Sequence, residues 1–164
     1  MNKIIRNNFL LLLILVSLTN HAFTQNLPTL SLAQLTQELE KQDDTLRIVN
    51  LWATWCKPCV EELPDFIELA SAYKTAGKAV KFMLIAVEDK FEKVQAFIEN
   101  KKPFFYVLTE KDANIWIPQI DAKWEGEIPA TLLVNIKQNI RVFKAKQLTR
   151  NELENLINLH LKKK

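Results

Sequence analysis

Trp52-Ala53-Thr54-Trp55-Cys56-Lys57-Pro58-Cys59 is the stretch from which both fold and chemistry are read. It holds the only two cysteines among 164 residues, with two residues between them. An apolar run, Ile48-Val49-Asn50-Leu51, leads in and reads as a buried strand, and helical spacing follows from Val60 to about Lys74. A helix N-terminus carries partial positive charge from its unpaired N–H groups. A sulfur held there is stabilised as thiolate, which makes Cys56 a nucleophile near neutral pH. Cys59 lies about one turn on, close enough to attack a mixed disulfide on Cys56 and release the product. Pro58 suits the first helical turn, where its missing N–H costs little. A Cys-x-x-Cys pair beside a βαβ pattern therefore points to redox chemistry. Two buried structural cysteines, or half of a zinc site, are the alternatives. Zinc normally takes four ligands, and the chain adds only His21 and His160 to its single cysteine pair.

Working outward, Ser31-Leu32-Ala33-Gln34 has the form of a capping box, and Leu32, Leu35 and Leu39 share one face of a short helix that Asp43-Asp44 should end. Leu46 to Ala53 is apolar on both faces, as a parallel strand covered on both sides must be. The helix after Cys59 carries Val60, Leu63, Ile67 and Ala70 on one stripe, contains Pro64, and meets a stop at Gly77. Val80 to Val87 is a second buried strand; Phe91, Val94, Phe97 and Ile98 have helical spacing, closed by Pro103. Phe104 to Leu108 reads as a short strand, and Asp112 to Ile117 as a short helix broken at Pro118. Ile128–Ile136 and Ile140–Ala145 form a hairpin, and Thr149-Arg150-Asn151-Glu152 caps a terminal helix with Leu153, Leu156, Ile157 and Leu161 inside. Alternating strands and helices imply a parallel sheet, and the late hairpin gives it an antiparallel edge.

Two segments carry a family resemblance. Trp52-Ala-Thr-Trp-Cys-Lys-Pro-Cys-Val-Glu-Glu-Leu-Pro64 resembles the active-site stretch of the thioredoxin superfamily, above all its exported TlpA/ResA-type members. Glu62 and Pro64 match that type's glutamate two residues before a proline, and Ile128-Pro129-Ala130-Thr131 matches the superfamily's cis-proline segment. The resemblance spans about residues 28–164. It implies a thioredoxin-like three-layer α/β/α fold with a mixed central sheet and a C-terminal β-hairpin plus helix. It also implies a thiol-disulfide oxidoreductase that needs no cofactor and no metal. Its Cys56–Cys59 pair would cycle between dithiol and disulfide with protein substrates. Expected partners are protein thiols and a membrane thiol donor, in cytochrome c maturation or related extracytoplasmic disulfide reduction. A disulfide-forming oxidase and a metal-binding module are the rival readings.

The same resemblance assigns the remaining site residues. Pro129 should follow a cis bond and face the cysteines, leaving the Ile128 backbone to pair with a substrate strand. Trp55 is expected on the substrate-facing surface and Trp52 in the core. Thioredoxins place a buried aspartate where this chain has Asn50, which cannot titrate. Glu62, three residues past Cys59 on the same helix face, is the substitute proton carrier; a solvated surface charge is the alternative. Lys57 replaces a glycine, and either favours the thiolate or points into water. Trp124 lines the substrate groove or packs; His160, on the terminal helix, is read as structural.

The N-terminus reads as a separate object. Lys3 and Arg6 precede an apolar run from Phe9 to Leu18, then small and polar residues to Gln25. Residues 1–24 have the plan of a signal peptide, with an uncleaved anchor as the alternative and 28–164 as the domain. Export to the periplasm or another extracytoplasmic space follows, with membrane contact only through that segment if it stays. The net charge is +3, and without Lys3 and Arg6 the balance is 20 basic against 19 acidic residues. That is no nucleic-acid footprint.

Overall fold

The computed structural model describes residues 27–88, 90–98 and 104–161. The 1–24 segment, Pro103 and the terminal lysines lie outside them. The strands are β1 (Thr29–Leu30), β2 (Leu46–Trp52), β3 (Val80–Ala86), β4 (Phe105–Leu108), β5 (Ala130–Asn135) and β6 (Ile140–Lys144). The helices are α1 (Leu32–Leu39), α2 (Lys57–Thr75), α3 (Phe91–Ile98), α4 (Ala113–Ile120) and α5 (Arg150–Leu161). Among the described residues no helix is long and apolar enough to cross a membrane.

One sheet runs in the order β1-β4-β3-β2-β5-β6. The pairs from β1 to β2 are parallel, and those from β2 to β6 are antiparallel. This is the expected mixed sheet with a terminal hairpin. Period-two alternation splits β2 between two cores. Ile48 and Trp52 pack with Leu63 and Phe66 of α2 and Leu153 and Ile157 of α5. Val49 and Leu51 pack with Leu35 and Leu39 of α1 and Trp116 and Ile120 of α4. The layers are therefore α/β/α, and β2 is buried along its whole length.

Local chemistry sets most boundaries. Ser31 and Gln34 form the reciprocal capping box at α1, and Thr149 and Glu152 do the same at α5. Gly77, at φ +61°, lets the chain leave α2 while Gly77 N–H and Lys78 N–H cap Lys74 O and Tyr73 O. Two expectations are corrected. Helix α1 ends at Leu39 with Glu40 as its cap, before Asp43-Asp44, because Asp43 is engaged elsewhere: it accepts from Thr45 N–H and pairs with Arg47. Helix α2 starts at Lys57, with Cys56 as its N-cap and Pro58 in its first turn, as the sequence reading placed them. Helix α4 is not broken at Pro118 but runs through it to Ile120. The proline removes one donor, whose partner would be the carbonyl of Asn114, an exposed residue.

Two features had no sequence warning. Strand β1 is two residues long, too short for any periodicity to register. Arg47 sits in apolar β2 yet is 1% exposed. Its guanidinium donates to Glu38 at 2.9 Å and to Asp43 at 2.7 and 2.9 Å. A buried charge is tolerable only when paired in this way.

Candidate active site

The sheet register builds the site. Strands β2 and β5 are antiparallel, with Leu51 opposite Ala130, so the exit of β2 and the entry of β5 lie at the same edge of the sheet. The first leads into Cys56 and the second follows Ile128–Pro129. The two motifs, more than seventy residues apart in the chain, therefore meet. The Ile128–Pro129 bond is cis. Ile128 O lies 3.7 Å from Cys56 Sγ. In the disulfide this is a packing contact, since the sulfur carries no proton; a reduced thiol would donate to that carbonyl.

Cys56 and Cys59 form a disulfide. Cys56 occupies the N-cap of α2, in extended backbone, and Cys59 N–H donates to its Sγ at 3.3 Å. Cys56 keeps slight exposure and Cys59 has none, the order that attacking and resolving sulfurs require. Trp55 is 68% exposed beside them, whereas Trp52 is buried against Phe97 and Phe105. The Lys57 ammonium points into water, 3.8 Å from Glu61, so solvent screens its effect on the sulfurs.

Glu62 is not a surface charge. It is 1% exposed, on the α2 face that packs against the sheet. One carboxylate oxygen accepts from Asn50 Nδ2 at 2.7 Å and the other from Leu148 N–H at 2.8 Å. Asn50 Nδ2 also reaches Thr131 Oγ1 at 3.3 Å, which ties β2, β5 and α2 together under the cysteines. Burial pushes the Glu62 pKa up from 4.5 to about 7, helped by Asp65, against the lowering effect of the two hydrogen bonds. A carboxyl near neutrality, one turn beyond a resolving thiol, can take up or give a proton at physiological pH.

Sequence reading missed Glu88. It is buried at the end of β3, and its Oε2 accepts from Thr54 N–H at 3.0 Å and Thr54 Oγ1 at 2.6 Å. With Val87 N–H bonded to Trp52 O, this closes the β2 and β3 ends together and holds the turn from which Cys56 emerges. An acid directly after the apolar run of β3 was the only signal. Leu148, which caps Glu62, gave none. Trp124 packs rather than lining a groove: it is buried against Trp116 and Phe143, and its Nε1–H donates to Glu127 O at 2.8 Å.

The Redoxin family matches residues 17–157. The chain belongs to the Redoxin family. It is 27% identical over 139 residues to the thioredoxin-like protein YneN of Bacillus subtilis, covering 82% of this chain and 78% of that one. It is 26% identical over 177 residues to the thiol-disulfide oxidoreductase ResA of Oceanobacillus iheyensis, covering 93% and 89%. The thiol:disulfide interchange protein of the thioredoxin family from Chlorobium tepidum superposes with TM-score 0.60 at 20% identity, over 71% of this chain and 80% of that one. That likeness shows the thioredoxin fold. This Redoxin chain is thus a TlpA/ResA-type member of the thioredoxin superfamily and an oxidoreductase, with a Cys56–Cys59 pair at its centre.

Proposed function

We propose that this protein reduces disulfides of exported proteins. The observation that carries the reading is the Cys56–Cys59 pair at the α2 N-terminus, facing Ile128 and backed by buried Glu62. In the reduced protein, Cys56 thiolate attacks one sulfur of a substrate disulfide. A mixed disulfide forms and the other substrate sulfur leaves as thiolate. Cys59 then gives its proton to Glu62 and attacks Cys56 Sγ. The first substrate sulfur leaves, and the enzyme holds the disulfide. Two electrons have passed to the substrate, and a dithiol donor must restore them. Cys59 N–H and the helix terminus stabilise the Cys56 thiolate both as attacker and as leaving group.

Ile128 and Pro129 flank the attacking sulfur, and a substrate strand pairs with the Ile128 backbone, with Trp55 beside it. Residues 1–24 direct export, and 28–164 form the catalytic domain. A membrane thiol carrier is the electron source, and cysteines of apocytochrome c before haem attachment fit as the substrate class. Trapping tests this: Cys59→Ser should accumulate mixed disulfides through Cys56, and identifying the captured protein names the substrate. A reduction potential as high as that of strong periplasmic oxidants, near about −120 mV, would instead assign disulfide formation. N-terminal sequencing that begins at Met1 in the membrane fraction would replace the cleaved signal by an anchor.

A further inference from the structure

A cleft of about 220 Å³ opens beside Trp55, between the end of β3 and the β4–α4 connection. Trp55, which directly precedes the attacking cysteine, is one of its lining residues, and Glu88, Leu108, Glu110, Lys111 and Trp116 are among the others. Its size limits the occupant. Sites for free organic ligands run from about 300 to 1,000 Å³, so this one holds a single long side chain.

The lining selects which side chain. Leu108 and Trp116 are buried and give an apolar floor. Glu88 is only 9% exposed, and it lines this cleft. Thr54 occupies its Oε2 with both donors, and among the described residues Oε1 has no hydrogen-bond partner. A carboxylate held this way is a ready acceptor for a charged donor. Glu110 adds a second acid. Lys111 opposes them, but it is exposed and screened, whereas Glu88 is sheltered. Two indoles, Trp55 and Trp116, are among the lining residues, and indole rings attract cations. An apolar stem with a cationic end satisfies the apolar floor, the two acids and the indoles at once.

We propose that this cleft is a specificity subsite for a lysine or arginine of the protein substrate, close in sequence to the cysteine under attack. The proposal rests on the thiol-exchange reading above. The Glu88–Thr54 contact gives the subsite its coupling to chemistry, because the same carboxylate that faces the guest fixes the turn presenting Cys56.

The test uses short disulfide-bonded peptides carrying arginine, norleucine or glutamate beside the cysteine. Each kcat/KM is divided by the rate with hydroxyethyl disulfide, which is too small to fill the cleft, so general changes in thiol reactivity cancel. Arginine peptides should exceed glutamate peptides by about tenfold, with norleucine between, and the preference should shrink in about 1 M salt. Glu110→Gln should lower that ratio about threefold, and Lys111→Glu should raise it by a similar factor. Equal rates for arginine and glutamate peptides, or a ratio that neither variant moves, would overturn the subsite. A norleucine optimum would make it an apolar pocket and overturn the cationic assignment. If hydroxyethyl disulfide itself is not reduced, the exchange reading fails, and the subsite with it.

Discussion

Replacing Glu62 by glutamine should change how stability depends on pH, in a direction set by burial. The unfolded carboxyl releases its proton near 4.5 and the folded one near 7. Between those values the folded chain holds a proton that the unfolded chain has lost, so stability falls as pH rises through the window. The full effect is about 3 kcal/mol, at about 1.36 kcal/mol per pKa unit. Between about pH 5 and pH 8.5, about 2.5 kcal/mol of it is expressed. The Glu62→Gln side chain cannot ionise, so the variant lacks this slope. It carries a constant penalty of about 1–2 kcal/mol instead, because one amide oxygen cannot accept from both Asn50 Nδ2 and Leu148 N–H. Asn50 can soften that penalty by turning its amide over, since its Oδ1 is buried without a partner. The assay is urea unfolding of the oxidised protein and of oxidised Glu62→Gln at both pH values. The disulfide removes thiol titration, and all other shifted groups are common to both chains. The stability of the variant minus that of the wild type should rise by about 2.5 kcal/mol from about pH 5 to about pH 8.5. A difference constant to within about 0.5 kcal/mol would refute the raised pKa of buried Glu62 and its use as a proton carrier.

Three further outcomes follow from particular contacts. In the reduced protein, Glu62→Gln should slow the resolving step about 10²-fold near neutral pH while alkylation of Cys56 continues, read by stopped-flow decay of a mixed disulfide. Arg47→Met should cost about 2–4 kcal/mol in urea unfolding, because Glu38 stays in place without its buried partner. Although burial alone would raise it, hydrogen bonds from Lys41, Lys81 and Arg47 hold the Glu38 pKa down at about 2. That stability is present above pH 4.5 and lost as pH falls toward 2, and the acid-side loss should be smaller in Arg47→Met than in the wild type. Gly126→Ala should lower stability by about 1–2 kcal/mol, since Gly126 sits at φ +100° and a Cβ would lie 2.7 Å from Ile117 Cδ1. Because that loop leads into Ile128, exchange with peptide disulfides should fall further than exchange with a small disulfide.

Much of this protein was determined locally. The apolar run into Cys56, the helical stripe after it and the two capping boxes each depend on residues a few positions apart. Sequence alone therefore placed β2, α2, the hairpin and α5, and put a reactive sulfur at a helix N-terminus. The boundaries that slipped have local causes that compete. Pro118 breaks a helix only where its lost bond and ring clash are not absorbed, and α4 absorbs them at an exposed turn. What only the tertiary structure decided is the environment of charge. Glu62 and Glu61 are adjacent acids on one helix, and nothing in their order says that one is 1% exposed and the other solvated. Leu148 N–H caps Glu62 across 86 residues of chain, and Thr54 finds Glu88 across 34. Nothing in the order of residues in β2 shows that Arg47 is buried as an ion pair; α1 and the following turn supply Glu38 and Asp43. Protonation depends on burial and on which donors converge, and both are properties of packed elements rather than of neighbours in the chain.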